Sequence, residues 1–140
     1  MNDIGTVILR FRNAGLKITP QRLSIFRLIM KNQSHPSADD IYQKVLETHP
    51  SISFTTVYKT LQILRDFGEI IELNIDPERA HYDPMVEDHY HTFCSRCREI
   101  WDLLPDPAME SAFPPSAPDN GFMVKSVQVH MVGICGHCRD

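Results

Sequence analysis

The sequence predicts an α+β chain with helices first and short strands after, and three observations carry that expectation. Apolar residues recur at helical spacing through the first 66 positions. After Gly68 the period shortens to two, as half-buried strands require. All four cysteines fall in two C-x-x-C pairs, Cys94/Cys97 and Cys135/Cys138, with 37 residues between them. Two short-spaced thiolate pairs suit one tetrahedral zinc, a staple that a small domain often needs.

Taken in order, Val7, Leu9 and Phe11 begin a first helix that ends near Gly15. Thr19-Pro20 is a helix start, a capping hydroxyl followed by proline at the first helical position, and Leu23, Phe26, Ile29 and Met30 continue at helical spacing. Ser37 with Asp40 three residues on has the form of a capping box, and Ile41, Val45 and Leu46 give that helix its apolar side until His49-Pro50. Ser53 opens a fourth helix with Val57, Leu61 and Leu64 at i, i+4, i+7, closed by Phe67-Gly68. Residues 70–73 and 80–83 alternate about a turn at 74–78, which makes a β-hairpin. Helices followed by such a hairpin form a winged helix-turn-helix layout. Short strands are expected at 90–94, 99–103 and 122–132, the last from Val124, Val127 and Val129. Residues 104–121 hold five prolines and Gly121, so one continuous helix is excluded there, leaving a turn or two at Ala108–Phe113.

The net charge of −4 is unevenly spread. Residues 1–66 carry nine Lys/Arg against five Asp/Glu, a net of +4, and residues 67–140 carry a net of −8. A basic half is suited to a polyanion and an acidic half to cations. The 42% hydrophobic share suffices for a folded core, and no apolar run is long enough for a membrane helix. Met1-Asn2-Asp3 lacks the features of a secretory signal, so a cytoplasmic location is expected, where paired cysteines bind metal more often than each other.

A second ligand set is interleaved with the first cysteine pair. His89 and His91 are two apart, so on a strand they share a face. With His35, Asp83 and Asp102 they give mixed imidazole and carboxylate donors suited to iron(II), manganese(II) or zinc. His81, His130 and His137 are read as structural. Because His35 belongs to the basic half and the others lie at or beyond the hairpin, one ion holding all five would tie the halves together and couple metal binding to the pose of the helices.

With Val57, Leu61 and Leu64 facing the core, the fourth helix leaves Thr55, Thr56, Tyr58, Lys59 and Gln62 outward. Those side chains suit phosphate contact and base-edge readout in a major groove, although ordinary polar helix faces look much the same. Lys17, Arg22 and the hairpin favour the DNA reading. A helix-turn-helix of this size is expected to act as a two-fold homodimer on a palindromic double-stranded operator.

The stretches Gly15-Leu16-Lys17-Ile18-Thr19-Pro20-Gln21-Arg22, His35-Pro36-Ser37-Ala38-Asp39-Asp40-Ile41-Tyr42, Ile52-Ser53-Phe54-Thr55-Thr56-Val57-Tyr58-Lys59-Thr60-Leu61 and His89-x-His91-x-x-Cys94-x-x-Cys97 occur in that order. Together, over about Leu9 to Cys138, they resemble the ferric uptake regulator (Fur) family of metal-dependent repressors. The resemblance implies a winged helix-turn-helix DNA-binding domain at 1–83 and a small C-terminal α/β dimerisation domain at 84–140. It also implies structural zinc on Cys94, Cys97, Cys135 and Cys138. The ligand pattern is most similar to the peroxide-sensing branch, whose regulatory iron or manganese site carries over onto His35, Asp83, His89, His91 and Asp102. In that branch peroxide oxidises a ligand histidine, here His35 or His89, and the repressor leaves its DNA; the alternative is an iron- or zinc-sufficiency repressor without peroxide chemistry.

Four departures stand out. Arg98 follows Cys97 where the family usually has glycine, and His81 stands where a basic residue usually precedes the Tyr-Asp of the hairpin. Val127 replaces a histidine of a further metal site, which is therefore expected to be absent or degraded. The broken 104–121 stretch replaces a more regular helix. An enzyme is not expected: the H-x-E motif of nucleic-acid deaminases, Gly-rich phosphate loops and serine nucleophile motifs are missing. No small-molecule ligand beyond metal and hydrogen peroxide is implied.

Overall fold

Helix α1, Ile4–Asn13, begins where the Asp3 carboxylate accepts the Thr6 amide at 2.9 Å and buries Val7 and Phe11 on one side. The computed structural model describes residues 3–108, 118–125 and 127–140. Leu9, expected with the apolar residues of this helix, is 58% exposed. It lies two positions from both Val7 and Phe11, about 200° around the helix from each, whereas Ile4 and Ile8 pack against the core.

Three capped helices follow. Thr19 caps α2, Pro20–Ile29, by accepting the Arg22 amide, with Pro20 in the first turn. A reciprocal box caps α3, Ala38–Leu46: Ser37 Oγ accepts the Asp40 amide at 3.1 Å and the Asp40 carboxylate accepts the Ser37 amide at 2.9 Å. Ser53 caps α4, Phe54–Asp66. Gly68, at φ +74°, ends α4 in the left-handed conformation a helix terminus favours, and the Glu69 amide returns to the Leu64 carbonyl.

The hairpin consists of β1, Ile71–Leu73, paired antiparallel with β2, His81–Asp83, with Glu72 opposite Tyr82. Ile25, Phe26 and Ile29 of α2, Ile41 and Val45 of α3, and Val57, Leu61 and Leu64 of α4 form one core with Val7, Phe11, Ile70 and Tyr82. Phe11 and Phe26 meet edge to face at 4.7 Å. The buried Glu69 carboxylate receives Arg10 at 2.7 Å, and the same guanidinium donates to the Phe67 carbonyl, which fastens α1 to the end of α4. Burial pushes the Tyr82 hydroxyl up to about 12. These elements form the first of two compact units, Met1–Glu87.

The second unit, Asp88–Asp140, is built on a three-stranded sheet in the order β4-β3-β5. β3, Tyr90–Cys94, pairs antiparallel with β4, Ile100–Leu103, and parallel with β5, His130–Gly133. Among the described residues, the strand expected over 122–132 is confined to His130–Gly133. A run with several valines favours extended backbone, but a strand also needs a partner, and among the described residues the ladder with β3 runs from His91 to Cys94. Just before it, the Val129 carbonyl still accepts the His91 amide. The turn expected at Ala108–Phe113 falls mainly outside the described residues.

The chain is an α+β protein with an N-terminal winged helix-turn-helix followed by a small C-terminal unit of mixed sheet. Among the described residues no helix is long and apolar enough to cross a membrane.

Candidate metal centres and DNA-reading surface

The four cysteines, widely separated in sequence, converge in the second unit. Cys94 ends β3, Cys97 follows in the turn to β4, and Cys135 and Cys138 lie just after β5. Pairing β5 beside β3 is what brings the two C-x-x-C turns together. All four thiols are free, and their sulfurs lie within 4.8 Å of one another. Cys97 Sγ is 3.8 Å from Cys135 Sγ. A regular tetrahedron with zinc–sulfur bonds of about 2.3 Å has edges of about 3.8 Å, so the donor set and its spacing fit zinc.

Backbone amides prepare the first thiolate. The amides of Cys135, at 3.3 Å, and Cys97, at 3.5 Å, donate to Cys94 Sγ and pull this thiol down to about 6. Cys138 is pushed up to about 12, chiefly by the neighbouring Cys135 thiol, because four crowded sulfurs resist gaining charge together. A dication among them reverses that repulsion. Arg96, inside the first turn, donates to the Cys138 carbonyl and ties the two turns to each other.

The sheet also arranges the second ligand set. His91 on β3 stands directly opposite Asp102 on β4, and His89 precedes β3 by one residue. His89 Nε2 and His91 Nε2 lie 3.0 and 3.2 Å from the same oxygen, Asp102 Oδ1, with the imidazole centroids 4.4 Å apart. Both histidines are buried. Two imidazole nitrogens and a carboxylate oxygen are thus gathered close together, as part of a metal's donor set could be. His130, on the far side of β3, stacks on His91 at 6.0 Å and is shifted toward neutrality by burial and then by His91.

The other two candidates belong to the first unit. His35 Nε2 is 3.3 Å from Asp83 Oδ2, and both side chains are at most 2% exposed. Asp83 ends β2, while His35 lies in the α2–α3 connection, which runs along β2 through the Tyr82 amide to Pro36 carbonyl bond. Sequence reasoning does not single out Asp76, and it reads His81 as structural. Both are buried and bonded to each other at 2.9 Å. A carboxylate in a hairpin turn carries no local signal that it will meet a histidine on the returning strand.

On α4, Thr55, Tyr58 and Lys59 are exposed while Thr56 and Gln62 are half-buried. Tyr58 stacks on Phe54 at 6.2 Å, and Phe54 meets Tyr42 edge to face, so the tyrosine projects from an aromatic base that the polar pattern alone did not disclose. The Thr56 hydroxyl bonds to Ser53 Oγ within the helix cap. Lys17 is exposed, and Arg22 donates to its carbonyl at 2.7 Å, bracing the loop that carries it.

A winged helix-turn-helix joined to metal-donor clusters of this kind defines a metal-responsive transcriptional regulator. The model of the ferric uptake regulator family matches residues 13–132. The peroxide-responsive repressor PerR of Staphylococcus epidermidis is 32% identical over 139 residues, spanning 99% of this chain and 92% of the relative. The fold matches the Helicobacter pylori ferric uptake regulator with a TM-score of 0.80 at 21% identity, over 98% of this chain and 91% of that one. It matches the Campylobacter jejuni peroxide stress regulator with a TM-score of 0.65 at 28% identity, over 99% and 100%. The chain belongs to the ferric uptake regulator family, whose members are DNA-binding dimeric regulators rather than enzymes.

Proposed function

We propose that this chain represses transcription as a homodimer on a palindromic operator while iron(II) or manganese(II) is held by His35, Asp83, His89, His91 and Asp102, and that peroxide ends repression through oxidation of His35 or His89. Zinc on Cys94, Cys97, Cys135 and Cys138 has a structural role in this reading. The observation that carries it is the convergence of His89 and His91 on one Asp102 oxygen, at 3.0 and 3.2 Å. Two imidazoles and a carboxylate aimed at one point are a donor set for a borderline dication.

The residues divide the work. His89, His91 and Asp102 form one jaw, and His35 with Asp83 forms the other. An ion held by both sets of residues would link the two units and so favour one presentation of α4. Thr55, Thr56, Tyr58 and Lys59, with Lys17 and Arg22, then meet DNA. Iron(II), if bound there, would promote a net two-electron oxidation in which hydrogen peroxide gives one oxygen atom to a ligand imidazole carbon and the other leaves as water, the displaced ring hydrogen remaining on the oxidised imidazole. An imidazole that gains oxygen is a poorer donor, so the jaws part and the DNA-bound pose is lost. Dimerisation through the second unit is supported by β5, an edge strand that leaves Val132 65% and Ile134, just beyond it, 43% exposed. A cytoplasmic location follows from the same reading.

The test is operator affinity with iron(II) and with manganese(II), each before and after a brief peroxide pulse, with mass spectrometry of the His35 and His89 peptides. Loss of binding and an added oxygen atom in the iron form alone support peroxide sensing. Equal insensitivity of both forms assigns the chain to metal-sufficiency sensing instead.

A further inference from the structure

His35 is held in an unfavourable backbone conformation by residues that are not metal donors. Its φ is +52°, in the left-handed region that residues with a Cβ disfavour. Pro36 follows and narrows the choices further, since a residue before proline is pushed toward extended conformations. Two interactions pin this segment to the hairpin. The Tyr82 amide donates to the Pro36 carbonyl at 2.9 Å within an isolated antiparallel bridge between Ser37 and His81, and His81 Nδ1 donates to the His35 carbonyl at 2.7 Å.

The remaining ring nitrogen of His81 meets Asp76 Oδ2 at 2.9 Å. Asp76 Oδ1 accepts the Glu78 amide at 2.9 Å, which seats the carboxylate in the hairpin turn. His81 is 8% and Asp76 5% exposed. A carbonyl oxygen only accepts, so Nδ1 carries the hydrogen of that bond, and the other ring nitrogen faces the Asp76 carboxylate. The result is a directed relay from the turn through Asp76 and His81 to the His35 backbone.

We propose that His81 and Asp76 are positioning residues for the regulatory metal, holding the His35 backbone in its left-handed turn so that its imidazole stays against Asp83. This rests on the metal reading above. Without the His81 donor, a buried carbonyl loses its partner and His35 relaxes toward extended backbone, which turns its Cβ and ring away from Asp83. The role belongs to outer residues that orient metal ligands and whose loss weakens binding by about 10- to 100-fold.

The experiment uses the full-length, zinc-loaded protein and manganese(II) as the probe. Manganese affinity is measured by calorimetry for the parent, His81→Leu, His81→Arg, Asp76→Asn and His35→Ala, with zinc content and melting of the manganese-free protein recorded alongside. His81→Leu is expected to weaken manganese binding about tenfold or more at unchanged zinc content. His81→Arg, which again offers donors to both acceptors, is expected to restore most of the loss, and Asp76→Asn to fall between.

A lower melting point with unchanged manganese affinity in His81→Leu and Asp76→Asn means a merely structural role and overturns the proposal. If His81→Leu does not fold, the other pair decides: weakened binding in Asp76→Asn with near-parent binding in His81→Arg supports it, and parent affinity in Asp76→Asn overturns it. His35→Ala separates the two claims. Undiminished manganese binding there refutes the metal reading itself, whereas loss there with none at His81 and Asp76 refutes only the positioning role.

Discussion

His35 Nε2 approaches Asp83 Oδ2 to 3.3 Å with both side chains almost wholly buried, although 47 residues separate them in the chain. An imidazole and a carboxylate are taken from water at this one place, and desolvation of such groups is unfavourable unless each gains a partner. Their mutual contact is one such partner, and a dication shared by both, as proposed, would be a stronger one. Asp83→Asn keeps the shape and removes the charge. It is expected to weaken manganese(II) binding at least as much as loss of an outer residue, about tenfold or more, and to leave zinc content unchanged. Calorimetry with metal analysis checks both halves of that statement.

Zinc should carry the second unit. Its sheet has short strands and exposes Trp101, Met131 and Val132, so little apolar burial supports it within the chain. Structural zinc in small domains contributes on the order of 10 kcal/mol of apparent binding energy, which is also folding energy. Cys97→Ser is expected to abolish zinc retention and the cooperative melting of residues 88–140, with the helical unit retaining its own transition. A two-step melt followed by circular dichroism and tryptophan fluorescence, from Trp101, reads the loss directly.

Arg98 occupies φ +67° immediately after Cys97, where its amide donates to the Cys94 carbonyl at 2.8 Å. Left-handed backbone is unfavourable by about 1 kcal/mol for a residue with a Cβ, and a cation over an aromatic ring returns about 0.5–1 kcal/mol. The guanidinium lies 5.8 Å from the centre of the Phe93 ring. Arg98→Ala keeps the strain and loses the ring contact, so it should destabilise the zinc-loaded protein by about 0.5–1 kcal/mol. Arg98→Gly loses both and should melt above Arg98→Ala.

Alkaline stability should depend on Tyr82. Its folded pKa is raised to about 12 from an ordinary value of 10.0. An acid whose folded pKa is raised keeps its full contribution below the unfolded pKa. Between pH 10 and 12 the unfolded chain releases this proton while the folded one retains it, so stability falls as pH rises, by up to about 1.4 kcal/mol per pH unit from this group. Tyr82→Phe should flatten that decline relative to the parent; urea melts across the range measure it.

Much of this was readable from the sequence where the determining interactions are local. The Thr19-Pro20, Ser37/Asp40 and Ser53 helix starts are set within four residues, and each cap forms. The cysteine pairs were readable because their spacing is itself the chemistry. What was not readable depends on distant partners. Val127 and Val129 are two apart, like one face of a strand, but among the described residues β3 offers a ladder from His130 onward. The His81–Asp76 contact and its bond to the His35 carbonyl join a hairpin to a connection 46 residues away, and no local pattern encodes that meeting. Phe54 escaped notice as an exposed aromatic because its value lies in supporting Tyr58 rather than in polarity.

DNA contacts should separate by type. Lys59→Ala is expected to weaken operator and non-operator DNA alike and to reduce the salt dependence by about one phosphate contact. Tyr58→Ala, which removes a ring held on Phe54, should reduce discrimination between operator and mismatched sites more than total affinity. Titrations at several salt concentrations distinguish the two.

In the proposed site one ion is held by His35 together with His89 and His91. Pulsed electron paramagnetic resonance of the manganese(II)-loaded protein with nitrogen-15 histidine counts coordinated imidazoles directly. Three are expected in the parent and two in His35→Ala, with the lost signal accompanied by weaker operator binding. An identical imidazole count in both proteins would contradict the proposed site.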